Sequence, residues 1–234
     1  MLRKRFILLL LSGVLASTAP FSALRAQEER HARWEESIRA FERQDREQGF
    51  PRPGVIVFTG SSSVRGWESL KDDMSPLPVI NRGFGGSQLD DAVYFANRIV
   101  IPYLPSRVVL YSGDNDIANG KSPETVAADF RAFVERLRGS IPGIPVYFLS
   151  VKPSIARWKH WENMRKTNDL IRDFCAKDSL LFYVDAASVL LGADGRPDAA
   201  LFQEDGLHLN AAGYGKWTAV LKPLLAAPLA EQGE

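Results

Sequence analysis

The sequence predicts an α/β fold, a parallel sheet covered by helices on both faces in a three-layer α/β/α sandwich, and three observations carry that expectation. Five short apolar, β-branched-rich runs alternate with helix-patterned stretches, as strands and crossovers do in parallel sheets. The runs are bounded by glycine, proline and small polar residues, which punctuate strands. The chain has 234 residues, 45% hydrophobic and 24% charged, enough to bury one good core.

In order, the elements read as follows. Residues 31–48 place Trp34, Ile38 and Phe41 at helical spacing, an amphipathic helix packed outside the sheet. Pro51-Arg52-Pro53-Gly54 ends it and turns the chain into a strand over 55–59. Further strands are expected at 79–81, 108–111, 146–150 and 180–184, and helices at 90–100, 123–137, 156–176 and 212–225. The helix at 123 has Ser122 as its cap and proline at its first position, where no N–H is needed. No internal repeat or low-complexity segment interrupts the series, so residues 27–234 read as a single domain.

The first 26 residues differ from the rest. Arg3-Lys4-Arg5 precede an apolar run from Phe6 to Leu15, then small and polar residues to Ala26, the layout of a secretory signal peptide. A span needs about 20 apolar residues, which this run lacks, so the expectation is cleavage after Ala26, export to the periplasm or beyond, and no stable membrane insertion afterwards. Removing this leader takes away four basic residues and no acidic one, changing the formal charge from +1 to −3. A mildly acidic chain has no electrostatic footprint for nucleic acid. The sole cysteine, Cys175, sits among apolar residues in a helical pattern and reads as a small buried hydrophobe.

Segments at the ends of the first three strands carry groups suited to acyl transfer: Gly60-Ser61-Ser62-Ser63, Phe84-Gly85-Gly86-Ser87 and Gly113-Asp114-Asn115-Asp116. In open α/β sheets ligands bind beyond the carboxyl ends of the strands, so these three should converge. A serine hydroxyl needs a base, and the base needs a third group to hold its tautomer. Of the three histidines, His208 has Asp205 three residues before it, with Gly206 permitting a tight turn. The nucleophile is one of Ser61, Ser62 or Ser63, and the pattern does not choose among them. Oxyanion donors are available from the backbone at Gly85 or Gly86 and from the Asn115 amide. Three scattered histidines and one cysteine offer no metal-ligand spacing.

Taken together, the four segments resemble the blocks of the SGNH hydrolase superfamily, the GDSL-type esterases and lipases, in order and spacing from about residue 54 to 225. The resemblance implies a five-stranded, flavodoxin-like sheet, a nucleophile at Ser62, an oxyanion hole from Ser62, Gly86 and Asn115, and a catalytic Asp205–His208 pair with no cofactor. The aspartate that usually precedes the nucleophile is Ser61 here, which places the chain with a Gly-Ser-Ser-Ser subgroup similar to bacterial relatives of platelet-activating-factor acetylhydrolases. The implied partner is a small-molecule ester, and the leading expectation is a short-acyl esterase, on acetylated carbohydrates among others. A lysophospholipase or thioesterase for longer chains is the runner-up, and a non-catalytic binding module on the same fold is the reading from a different class. Arg65 and Trp67 after the nucleophile, with Arg157, Trp158 and Trp161 after the fourth strand, are candidates for a substrate-binding rim. For Trp158 and Trp161, packing against the sheet explains the spacing equally well. Asp116 reads as a support for Asn115 or a cap. The oligomeric state is not specified.

Overall fold

In the computed structural model, which describes residue 29 and residues 31–229, strands β1 (Ile56–Gly60), β2 (Val79–Gly83), β3 (Arg107–Tyr111), β4 (Val146–Leu149) and β5 (Leu181–Val184) form one parallel sheet. The strand order is β2-β1-β3-β4-β5, which puts the first strand inside the sheet and reverses the winding beside it. The predicted leader, residues 1–26, lies outside the described residues. By its contacts the chain divides into Met1–Arg33 and Trp34–Glu234, and the sheet with its helices belongs to the second. No helix among the described residues is long and apolar enough to cross a membrane.

Side chains alternate across a strand, and here both faces are apolar. Val57, Val108, Leu110, Val146 and Phe148 point to one face and pack with helices α1 (Glu35–Gln48), α4 (Leu89–Ile99), α6 (Pro123–Arg138) and α7 (Trp161–Cys175). Ile56, Phe58, Val109, Tyr111, Tyr147 and Leu149 point to the other, against the short helices α2 (Ser62–Arg65) and α3 (Leu70–Met74) and the long α8 (Ala211–Ala226). Trp217 of α8 is fully buried there and donates its indole N–H to the Ala186 carbonyl at 2.9 Å. A sheet covered on both faces thus gives the three layers.

Local chemistry sets the ends of the helices. Ser122 accepts the N–H of Thr125 at 3.2 Å with Pro123 as the first helical residue, the expected cap on α6. Gln88 and Asp91 close a reciprocal capping box on α4. The N-terminal helix is fastened by charge as well as by Ile38: Arg98 of α4 bridges Glu35 and Glu42 at 2.7 Å each, and Arg82 of β2, buried, pairs with Asp45 while donating to the Tyr103 hydroxyl at 2.8 Å. Cys175 is buried at the end of α7, and burial together with Asp178 pushes its thiol up to about 12, so it stays a neutral thiol.

Two expected helices start late: α1, expected from 31, begins at Glu35, and a larger shift falls on α7. The pattern predicts helix from 156, whereas α7 begins at Trp161 after a 3-10 turn over Trp158–His160. The backbone N–H of Ala156 is taken by the Gly206 carbonyl at 3.0 Å, and Arg157 is drawn into contacts described below. Tertiary partners here outrank local helical preference.

Candidate active site

The parallel register brings the carboxyl ends of three strands level, with Gly60 beside Gly83 on one side and Tyr111 on the other. Gly60 has φ +122°, and a Cβ at that position would overlap the Tyr111 carbonyl oxygen, so only glycine allows the close approach. The turn aims the next residues differently. Ser61 and Ser63 are buried, whereas Ser62 is half-buried and its Oγ lies 2.9 Å from His208 Nε2. Among the three serines the hydrogen bond to His208 falls on Ser62. It is the first residue of α2; the N–H groups of Val64 and Arg65 reach back to the Ser61 carbonyl, leaving those of Ser62 and Ser63 without an intrahelical acceptor.

The His208 loop is fixed by Asp205. Its Oδ1 accepts the N–H groups of Leu207 and His208, both at 2.9 Å, and its Oδ2 lies 2.5 Å from His208 Nδ1. Burial alone would raise the Asp205 pKa; the hydrogen bonds from the His208 ring and the two backbone groups overcome it and hold the carboxyl at about 2. An ionised carboxylate accepts only, so it requires the proton on Nδ1 and leaves the Nε2 lone pair facing the Ser62 hydroxyl. Gly206, at φ +61°, makes the turn between the two residues.

Gly86 sits at φ +76° with the edge of the Trp34 ring 3.1 Å from where a Cβ would stand. The Arg65 guanidinium lies over the neighbouring Gly85, where an added Cβ would meet Cζ at 2.8 Å. Asn115 is buried in the short helix α5 (Asp114–Ala118), donates Nδ2–H to the Ser87 carbonyl at 2.9 Å and accepts from Arg157 at 2.8 Å. Asp116 is fully buried, but its carboxylate has no hydrogen bond to Asn115, and the helix that follows is capped by Ser122 instead. Asp116 accepts the Leu89 N–H at 3.0 Å, tying α4 to the end of β3. The carboxylates of Asp90, Asp116 and Asp129 come together around the Lys121 ammonium at 2.8–3.0 Å, so the lysine answers their charge.

The rim candidates separate. Trp67 is a core residue, 1% exposed, stacked on Tyr214 and packed against Phe58 and Trp217, with its indole N–H on Asp73. The expectation that it lines a substrate rim is therefore corrected: the apolar face of the sheet below α2 needs a large ring and takes this one. Trp161, the first residue of α7, is half-buried against the core, and Trp158 stacks on it at 6.0 Å under the Arg196 guanidinium. Arg65 is exposed beside the glycine turn. Arg157 touches Asn115 and Asp114, a pairing across 42 residues that no local pattern signals. Lys152, fully buried at the end of β4 and 3.6 Å from Asp114, carried no sequence signal either.

Comparison with known proteins agrees with this architecture. A Streptococcus pneumonia protein named for platelet activating factor superposes with a TM-score of 0.72 at 20% identity, covering 88% of this chain and 100% of that one. A GDSL-like lipase from Bacteroides thetaiotaomicron gives 0.66 at 20%, over 83% and 96%. A carbohydrate esterase family 3 protein from Talaromyces cellulolyticus gives 0.61 at 15%, over 76% and 99%. At these identities the likeness is one of fold. No curated protein matches the sequence. The GDSL-like Lipase/Acylhydrolase family profile matches residues 48–216, which span the serine turn, the glycine turn, Asn115 and the Asp205–His208 loop. That match covers well over half of the chain, which therefore belongs to the GDSL-like Lipase/Acylhydrolase family and is an ester-bond hydrolase.

Proposed function

We propose that the protein is an exported serine esterase for short acyl groups, acetylated carbohydrates foremost, with Ser62 as nucleophile, His208 as its base and Asp205 as the orienting carboxylate. The observation that carries this reading is the unbroken line from Asp205 Oδ2 through the two ring nitrogens to Ser62 Oγ, at 2.5 and 2.9 Å. His208 Nε2 takes the hydroxyl proton as Ser62 Oγ bonds to the ester carbonyl carbon. The carbonyl oxygen becomes an oxyanion, met by the N–H groups of Ser62 and Gly86 and by Asn115 Nδ2. The alkoxide leaves with the proton returned by His208, and the acyl group stays on Ser62. Water, deprotonated by the same ring, attacks the acyl carbon; the acid leaves and Ser62 Oγ recovers its proton.

Two observations favour a short acyl group. The sheet face beneath α2 is filled by Phe58, Trp67, Tyr111 and Trp217, which leaves little room for a long acyl chain between α2 and the sheet. Among the structural neighbours are one named as a carbohydrate esterase and one as an acetyl esterase. Export rests on the leader pattern of residues 1–26. The test is turnover of p-nitrophenyl esters from acetate to palmitate by the mature protein, beside Ser62→Ala and His208→Ala. Rates that fall steeply beyond butyrate and vanish in both variants support the proposal. A maximum at long chains replaces the short-acyl reading with a lipid-directed one, and serine-independent turnover removes the mechanism.

A further inference from the structure

An asparagine amide presents an oxygen and a nitrogen of nearly the same shape, and only its partners decide which way each faces. If Asn115 is to donate to an oxyanion, something must hold its oxygen on the other side. We infer that Arg157 is a positioning residue that locks Asn115 with its amide nitrogen toward the reacting carbonyl, an inference that rests on the oxyanion role proposed above.

The contacts leave one orientation. Arg157 Nη2 can only donate, and it lies 2.8 Å from Asn115 Oδ1. The Asn115 Nδ2 group has two hydrogens, and one goes to the Ser87 carbonyl at 2.9 Å. The second remains for a ligand. A flipped amide would set its NH2 against a guanidinium and its oxygen against a carbonyl, two donors facing and two acceptors facing.

Arg157 is itself held for this task. Its Nη1 lies 3.0 Å from Asp114 Oδ2, and Asp114 Oδ1 accepts the Asn115 backbone N–H at 2.9 Å. One carboxylate therefore fixes both the backbone of Asn115 and the cation that orients its side chain. Asp114 is 3% exposed and Asn115 6%, so the ion pair from Arg157 to Asp114 and the charge-assisted hydrogen bond from Arg157 to Asn115 are both made to groups shielded from water. The segment carrying Arg157 is also tied to the histidine loop through the Ala156 N–H on the Gly206 carbonyl at 3.0 Å. The guanidinium of this rim candidate is therefore engaged on its inner side with Asn115 and Asp114.

The experiment is a double-mutant cycle on the full mature enzyme: Arg157→Met, Arg157→Lys, Asn115→Ala and the Arg157→Met/Asn115→Ala pair, with kcat and KM on p-nitrophenyl acetate. Losing a whole oxyanion donor costs about 10²–10³ in turnover, so losing its orientation should lower kcat by about 10- to 100-fold in Arg157→Met with KM within about twofold. In the Asn115→Ala background the same substitution should change kcat by less than about twofold, because the side chain it acts through is gone. Arg157→Lys keeps one donor for Oδ1 and should fall between wild type and Arg157→Met, which a purely structural loss would not produce. A raised KM with kcat intact, or an equal loss in both backgrounds, overturns the positioning role while leaving the oxyanion reading in place. Unchanged turnover in Asn115→Ala overturns both.

Discussion

Replacing Asp205 by asparagine isolates what the carboxylate does, because it keeps the shape of the side chain and one of its oxygens. That oxygen can go on accepting the N–H groups of Leu207 and His208, so the loop should hold its conformation. The other position, 2.5 Å from Nδ1 in the native chain, becomes an NH2 that can only donate. The neutral ring then prefers its proton on Nε2, facing Ser62, and loses the lone pair that the serine proton needs. The electrostatic support for the charged ring is removed as well. Both losses fall on the same step, so kcat/KM for p-nitrophenyl acetate should fall by about 10²–10⁴, the upper end being the loss when a buried triad carboxylate is made an amide and the lower end reflecting the exposure of Asp205. The melting temperature should change little, since Asp205 is substantially exposed and its backbone contacts survive. In the native enzyme the carboxyl, held at about 2, stays ionised at every pH well above that value, so Asp205 protonation cannot cause a loss of activity near pH 5. Rates measured from pH 5 to 9, with circular dichroism on the same samples, read all of this. A loss under about tenfold with the fold intact would refute the tautomer reasoning and leave Asp205 a loop anchor.

Other perturbations follow from the same contacts. Gly60→Ala places a Cβ against the Tyr111 carbonyl at φ +122°, and should cost about 3 kcal/mol or more, lowering the melting temperature by roughly 6 °C or more in thermal denaturation. Lys121→Met strips the ammonium from three carboxylates, one of them fully buried, with an expected cost of about 3–5 kcal/mol in urea unfolding at neutral pH. Burial raises Asp116 to about 6 even against the pull of Lys121, so between about 4 and 6 the folded state holds a proton that the unfolded chain has released, and the stability from this group falls as pH rises through that window. Without the lysine the window extends upward, and the variant should be more impaired at pH 8 than at pH 5. Expressed with its leader in a bacterial host, the chain should be recovered outside the cytoplasm beginning at Gln27, as N-terminal sequencing would read; a cytoplasmic product beginning at Met1 would reject export.

Strands were the most legible part of the sequence, because a strand buried on both faces must be apolar along its length. The expected runs fall within two residues of β1 to β5 at each end. The convergence of the serine, glycine and asparagine turns also followed, since a parallel sheet brings strand ends to one edge. Composition of the Gly-Ser-Ser-Ser turn could not separate its serines, and the direction of each hydroxyl emerges only with the Gly60 backbone and the α2 turn in place. Trp67 shows the opposite failure: a large ring five residues past Ser62 is expected at the rim, and the ring stack with Tyr214 that places it in the core spans more than half the chain. Arg157–Asn115, Asp116–Leu89 and Asp45–Arg82 are polar contacts between segments far apart in sequence. Nothing in local periodicity encodes such pairs. They position α4, α1 and the Asn115 side chain, so the groups that orient the site were less readable than the groups proposed to react.

Fluorophosphonate labelling of the mature protein, followed by peptide mapping, asks directly whether Ser62 is an activated nucleophile. A single adduct on the peptide carrying Gly60 to Arg65, assigned to Ser62, absent in Ser62→Ala and strongly slowed in His208→Ala, is the predicted result. An adduct on Ser61 or Ser63, or none on the folded protein, would contradict it.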